Sequence, residues 1–468
     1  MKRIAIIGGG ISGLSAAFRL EQKKKQGLRL EYVLLESGPR FGGVIQTERV
    51  GDFLVEAGPD SFLTEKAWAA DLCAELGLRD ELVPSNDAAR KTYILVSGHL
   101  VPLPDGLMFM VPTKLLSALS SPLFSWTTKL RMLREWFYRR VESSSDFSVA
   151  KFVERHYGRE MVDRVADPLL AGVYGGSADE LSVRSVLPRF VEMEARYGSL
   201  GKAMVAARTQ QQSSGRSLFT SLRSGMQQIT DALLARIAAP ARRANSAVER
   251  IGSESGKWLV MSSGRTEEFD AVVIAAPAYS ASRLLQEANT ELASVLSAIR
   301  YSSSVTVALG YDERVRVGLP EGFGFLIPRT ESHRIIAATF VHNKFSHRAP
   351  DNRALIRCFL GGTRDEAILH LSDDEIAAIV KQDLLAILGI DNEPQFVRIY
   401  RWQKAMAQYE VGHRNRVERI RSLLGETPGL ALAGNYLGGI GVPDCVRAGS
   451  EAATKVLTEL HIADGATE

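Results

Sequence analysis

An α/β fold is predicted for this chain: a Rossmann-type parallel sheet, a mostly helical insertion, and a second domain built on its own sheet. Three observations predict it. A buried-strand run, a glycine turn and an amphipathic helix open the chain in βαβ order. The stretch from about residue 66 to 200 has mostly helical spacing, and residues 303–402 alternate strand patterns around one clear helix. With 468 residues the chain exceeds what one core organises and divides into two or three domains.

Taken in order, residues 4–7 are a short apolar run, Gly8, Gly9 and Gly10 make a turn, and residues 12–22 have helical apolar spacing. Residues 30–36 form a second strand, so the crossover is right-handed and the strands parallel. A hairpin is expected at residues 92–104 around Gly98. The polar stretch 209–215 lacks apolar periodicity and reads as a loop. Residues 258–261 and 269–275 follow as strands, the second returning to the first sheet. The clear helix spans 373–388, residues 430–433 form a short buried strand, and 443–460 form a C-terminal helix. The expected division is 1–85 with 218–285 and 428–468 for the dinucleotide-binding domain, 92–208 for the helical insertion, and 286–427 for the substrate domain.

Composition removes several function classes. Hydrophobic content of 45% and charged content of 24% are those of an ordinary globular protein. A net charge of +3 offers no concentrated basic field, so no nucleic-acid partner is expected. Cys73, Cys358 and Cys445 are far apart in sequence, which fits a reducing compartment without a disulfide framework. No metal-ligand spacing occurs among the histidines and cysteines, so no metal is expected. No apolar run approaches the roughly 20 residues a membrane span needs, and a cytoplasmic location is expected, with attachment to a membrane surface left open.

Gly8, Gly10 and Gly13 form GxGxxG between a strand and a helix. The first glycine permits the turn, the second admits a pyrophosphate to the backbone, and the third lets helix and strand pack closely. Backbone N–H groups and the helix dipole favour the phosphate charge. Glu36 ends the second strand, where a carboxylate binds a ribose hydroxyl. A purely structural glycine turn is the bland alternative, and the context on both sides disfavours it. NAD and FAD share this fingerprint. The next residues continue it with Arg40, Gly42 and Gly43, and a second glycine-rich turn at 433–444 contains Gly434, Gly439 and Gly441 before Val442 and Pro443 open the last helix. Glycines before a helix start expose N–H donors to a flavin carbonyl or phosphate.

These two turns resemble those of the FAD-containing amine oxidase superfamily, and within it the chain is similar to the porphyrinogen oxidases of haem synthesis over nearly its whole length. The stretches carrying the likeness are 55–62, 168–176, 322–328 and 402–412. The pattern looks nearest to the soluble bacterial type that oxidises coproporphyrinogen III, rather than the membrane-bound type acting on protoporphyrinogen IX. The resemblance implies FAD as cofactor, held by Gly8, Gly10, Ser12, Gly13, Glu36, Arg40, Gly42, Gly43, Val248, Trp402, Gly434, Gly439, Gly441 and Val442. It implies that Leu326 and Phe359 sandwich the macrocycle and that the Gly172 carbonyl faces the reacting methylene bridge. As residues alone, Leu326 and Phe359 read as core positions of buried strands, and Gly172 reads as a helix-ending glycine.

One departure concerns the hairpin. Thr92 stands where the membrane-bound relatives carry a propionate-binding arginine. Arg90, Lys91 and Lys66 are nearby cations that take its place, Lys66 matching a lysine of the soluble type; the bland reading is that such side chains merely solvate. Leu123, Trp126, Leu130, Leu133 and Phe137 fall at helical spacing with Lys129, Arg131, Arg134, Arg139 and Arg140 interleaved. That stripe suits interfacial membrane attachment, but packing against the helical domain is the favoured expectation.

The chemistry implied is three successive two-electron oxidations of a porphyrinogen, with oxygen reoxidising the flavin and giving hydrogen peroxide. Partners are then the porphyrinogen and molecular oxygen, with haem-pathway enzymes expected and a homodimer left open. Two other readings remain: an amine oxidase or carotenoid desaturase of the same superfamily, and a non-catalytic escort protein of the same fold. No aromatic cage with a flavin-side lysine is identifiable, and the intact glycine set argues against the escort.

Overall fold

Short strands rich in Ile, Val and Leu need burial on both faces, and four of them satisfy it by lying side by side, with a two-residue arginine strand added at one edge. They run parallel in the order Arg242–Arg243, Leu30–Leu35, Lys2–Ile7, Ala271–Ile274 and Leu430–Leu432. The molecule is a computed structural model that describes residues 1–139, 145–210 and 217–461. Helix Ile11–Lys25 lies against the C-terminal helix Val442–Glu459. Their approach is so close that a methyl on Gly449 would fall 2.1 Å from the Ser12 carbonyl oxygen, which is why a small residue sits there.

A second sheet has seven strands in the order Phe396–Ala407, Tyr301–Tyr311, Ala354–Gly361, Ile335–Phe340, Gly324–Leu326, Thr92–Val96 and His99–Pro102. One face packs on helix Asp373–Leu388, whose Ile376, Val380 and Leu384 join Val305, Val307, Cys358 and Leu360 in a common core. That helix begins at a reciprocal capping box, Ser372 with Glu375, and stops at left-handed Gly389. The sequence-based division placed residues 92–208 together. The hairpin Thr92–Pro102 instead hydrogen-bonds into this sheet through Gly324–Leu326, because Tyr93 and Leu95 complete its apolar face.

The helical part begins only at Leu115. Helix Leu200–Gln210 runs into the polar stretch expected as a loop, and residues 211–215 lie outside the described ones. A π-helical turn, Val162–Ala166, feeds helix Asp167–Tyr174. The expectation that the apolar stripe packs inward is wrong. Leu123 is buried, but Trp126, Leu130, Leu133 and Phe137 are 80%, 67%, 41% and 82% exposed. Helix Trp126–Glu135 buries Thr128, Lys129, Met132 and Glu135 instead. The reason is electrostatic. The Glu135 carboxylate accepts from Ser199 Oγ at 2.9 Å, Leu200 N at 2.6 Å and Gly201 N at 3.2 Å, and meets His156 Nδ1 at 3.1 Å. A charge with four partners inside the domain fixes which side of the helix faces in. Arg140, counted with the stripe, lies outside the described residues.

Candidate active site

The first glycine turn is over-determined by contact. Gly8 has φ +106°, and a methyl there would lie 2.5 Å from the Ala275 carbonyl oxygen; one on Gly13 would lie 1.8 Å from that of Gly8. A methyl on Gly10, in contrast, would meet nothing within 4 Å. The middle glycine therefore faces open space at the N-terminus of helix Ile11–Lys25, beside buried Ser12. Glu36 accepts from Gly9 N and Gly38 N, each at 2.7 Å, so its carboxylate is aimed at the turn. Gly42 N donates to Gly9 O at 2.8 Å, bringing the second loop alongside. Arg40 donates to the carbonyls of Phe41, Gly43 and Ile45: the guanidinium holds this loop closed rather than reaching out of it. Val248 begins the strand that follows the Asn245 and Ser246 contacts to Gly38 O and Glu36 O.

The second glycine turn lies across the sheet. Gly434 and Gly439 have φ of +154° and +138°, and Gly441 caps helix Val442–Glu459. The turn is braced by buried Tyr409, whose hydroxyl donates to Asn435 O at 2.6 Å and accepts from Gly439 N at 2.8 Å. Its ring stacks on His413 at 4.1 Å. Trp402 Nε1 donates to Ala57 O at 2.9 Å. Lys66 donates to Asp444 Oδ2 at 2.6 Å, in the first turn of that helix. It therefore belongs to the second glycine turn, whereas Lys91 meets Glu321 at 3.5 Å on an exposed edge. The sequence grouped Lys66 with Arg90 and Lys91 at one mouth; in the fold Lys66 and Lys91 have separate partners. Arg90 is exposed and precedes the hairpin.

The other face of the seven-stranded sheet meets helix Asp167–Tyr174. Register aligns Ile94, Leu326, Ala337, Phe359, Thr306 and Tyr400 in one row, so their side chains share a face. The next row runs Thr92, Gly324, Thr339, Arg357. Leu326 and Phe359 are half-buried, separated only by Ala337. Helix Asp167–Tyr174 lies over this row, and a methyl on Gly172 would stand 3.6 Å from Leu326 Cδ2. The helix is anchored by Asp167, which accepts from Ala178 N at 2.9 Å and pairs with Arg364 at 2.9 Å; Arg364 in turn donates to Ile327 O at 2.9 Å.

The family model described as flavin containing amine oxidoreductase matches residues 11–457. The chain belongs to that family. Coproporphyrinogen III oxidase of Bacillus subtilis is 36% identical, with 98% of each chain covered. The mitochondrial protoporphyrinogen oxidase of Nicotiana tabacum is 30% identical over 98% of this chain and 95% of its own. A solved structure from Exiguobacterium, a candidate protoporphyrinogen oxidase, superposes with a TM-score of 0.88 at 30% identity, covering 98% of this chain and 99% of that one.

This flavin-containing oxidoreductase is thus an FAD-dependent enzyme with an α/β fold of the amine oxidase type. Its residues fit the cofactor on their own evidence: an unfilled space over Gly10, a carboxylate at the end of the second strand, and a helix N-terminus behind a glycine turn. Among the described residues no helix is long and apolar enough to cross a membrane. Three neighbours of these loops were not among the residues expected to form the site. A methyl on Gly9 would lie 2.5 Å from the Phe41 ring, which would have to shift to admit it. Tyr409 gave no local signal. Arg357 is buried in a strand, donates to the Ala57 and Gly58 carbonyls, and lies 4.9 Å from the Phe359 ring.

Proposed function

We propose that this flavoenzyme dehydrogenates coproporphyrinogen III to coproporphyrin III in haem biosynthesis, with oxygen as acceptor. The balance is six electrons and six protons removed from the macrocycle, and three molecules of oxygen reduced to three of hydrogen peroxide. FAD, when bound, takes up hydride equivalents and passes them to oxygen. The observation that carries the reading is the Leu326–Ala337–Phe359 row facing Gly172: an apolar wall with a small residue opposite suits the apolar body of a tetrapyrrole. In this reading Gly8, Gly10, Ser12, Gly13, Glu36, Gly42, Gly43 and Val248 hold the adenosine and pyrophosphate end. Trp402, Gly434, Gly439, Gly441 and Val442 hold the flavin, and Arg40 keeps the loop closed around it. Leu326 and Phe359 clamp the macrocycle, the Gly172 carbonyl faces the reacting bridge, and Arg90, Lys91 and Thr92 meet its carboxylates. Arg357 orients Phe359 through the guanidinium–ring contact.

The exposed stripe supports a cytoplasmic enzyme that docks peripherally on anionic membrane. Trp126, Leu130 and Phe137 are flanked by exposed Arg131, Arg134 and Arg139. Sedimentation with anionic vesicles is expected to bring the protein down, and the Trp126→Ala/Phe137→Ala variant is expected to stay in solution.

The substrate test offers coproporphyrinogen III and protoporphyrinogen IX side by side in air, following porphyrin fluorescence. Faster turnover of the first is expected. Preference for the second would reassign the substrate, and oxidation of neither above the enzyme-free rate would remove the porphyrinogen reading.

A further inference from the structure

The salt bridge between Lys66 and Asp444 joins two segments 378 residues apart. Asp444 is only 4% exposed, unusual for a carboxylate in the first turn of a helix whose N-terminus opens on a ligand site. It is pressed into the glycine turn: a methyl on Gly439 would lie 2.2 Å from Asp444 Cγ, and one on Gly441 would lie 3.1 Å from Oδ2. Arg447 reaches Oδ1 only at 4.0 Å and spends its short contact on Gly438 O at 3.1 Å. Lys66 is therefore the close counter-charge. Tyr409 braces the same turn and lies 5.9 Å from Tyr174, which is on the helix carrying Gly172. The two tyrosines thus link the second glycine turn, against which Asp444 is pressed, to the Gly172 helix.

A helix N-terminus carries a partial positive charge that favours anions close by. A carboxylate in the first turn cancels that field, and a lysine on the carboxylate restores it. We infer that Lys66 and Asp444 form a charge-balancing pair that sets the reduction potential of the bound flavin, acting as positioning residues and not as a substrate contact. This rests on the flavin end of FAD lying at the second glycine turn. Two-electron reduction leaves negative charge on the flavin, so an uncompensated lysine there eases reduction.

The test is the midpoint potential of the FAD-loaded enzyme, titrated against reference dyes, for the parent, Asp444→Asn, and Lys66→Met/Asp444→Asn. In Asp444→Asn the lysine charge is unmasked; the reduced flavin is expected to gain at least tenfold, about +30 mV for a two-electron couple. The double variant carries neither charge and is expected to return to within threefold of the parent. Asp444→Ser carries the same comparison if the amide fails to fold. Coincidence of all three potentials within threefold would overturn the proposal and leave the pair a mere tie between loop and helix. Failure of the folded parent to bind FAD would overturn the flavin assignment beneath it.

Discussion

Consider the substitution Gly172→Ala. The residue lies inside helix Asp167–Tyr174 and is itself exposed. The new methyl would meet Leu326 Cδ2 at 3.6 Å, an ordinary van der Waals contact, so the folded protein has no clash to relieve. Alanine is favoured over glycine in a helix interior by about 1 kcal/mol, so thermal stability should hold or rise. Function should move the other way. The methyl occupies the surface between the helix and the Leu326–Phe359 row, where the proposed function has the reacting bridge approach the Gly172 carbonyl. A displacement of about 1 Å in reacting geometry costs roughly 100-fold in rate, equivalent to about 2.7 kcal/mol of transition-state stabilisation. The assay is porphyrin fluorescence with coproporphyrinogen III, beside a thermal melt and the FAD absorbance of the purified variant. The expected result is full FAD content, an unchanged or higher Tm, and kcat/KM lowered about 100-fold. Unchanged kcat/KM would refute the role of this surface, and loss of FAD would mean the helix supports the cofactor instead.

Other perturbations follow from the same geometry. Phe359→Ala removes half of the proposed clamp; loss of about 2 kcal/mol of apolar contact should lower kcat/KM about thirtyfold while the melt changes little. Arg348→Met breaks the fully buried pair with Glu56 and the 2.6 Å bond to Ser221 Oγ. Stranding that carboxylate should lower stability in denaturant titration by about 3–5 kcal/mol. Burial pulls the His156 imidazole toward neutrality, but Glu135 and Glu194, each 3.1 Å from a ring nitrogen, outweigh it and hold the pKa above its ordinary value. The stabilisation should be complete below about pH 6.5 and fade as pH rises through the raised value. His156→Gln should flatten that alkaline decline in melts taken from pH 6 to 9.

Local features were the legible ones. The GxGxxG turn and Glu36 could be read because the geometry they impose is settled within a few residues of backbone. Helix Asp373–Leu388 could be read because its capping residues, Ser372 and Glu375, lie beside it. The family likeness carried Leu326, Phe359 and Gly172 as candidates, but nothing local distinguished them from core. Their alignment depends on strand register, which pairs Leu326 with Ala337 and Ala337 with Phe359 across loops that sequence pattern does not measure. The hairpin at Thr92 was seen as a hairpin, while the sheet it joins was decided by apolar partners more than 200 residues later.

The amphipathic stripe marks the limit most sharply. Periodicity correctly placed Trp126, Leu130 and Leu133 on one side of a helix, although that helix ends at Glu135, before Phe137, and a periodic pattern says nothing about which side turns inward. Glu135 decided it through Ser199, Leu200, Gly201 and His156. Lys66 is the same lesson, its partner being fixed only when the last helix docks against helix Trp68–Glu75, which follows Lys66. Sequence by itself determined the elements, the dinucleotide turn and the family. Tertiary structure decided which charges meet, because a buried charge must find its counter-charge in space and its position along the chain does not restrict where.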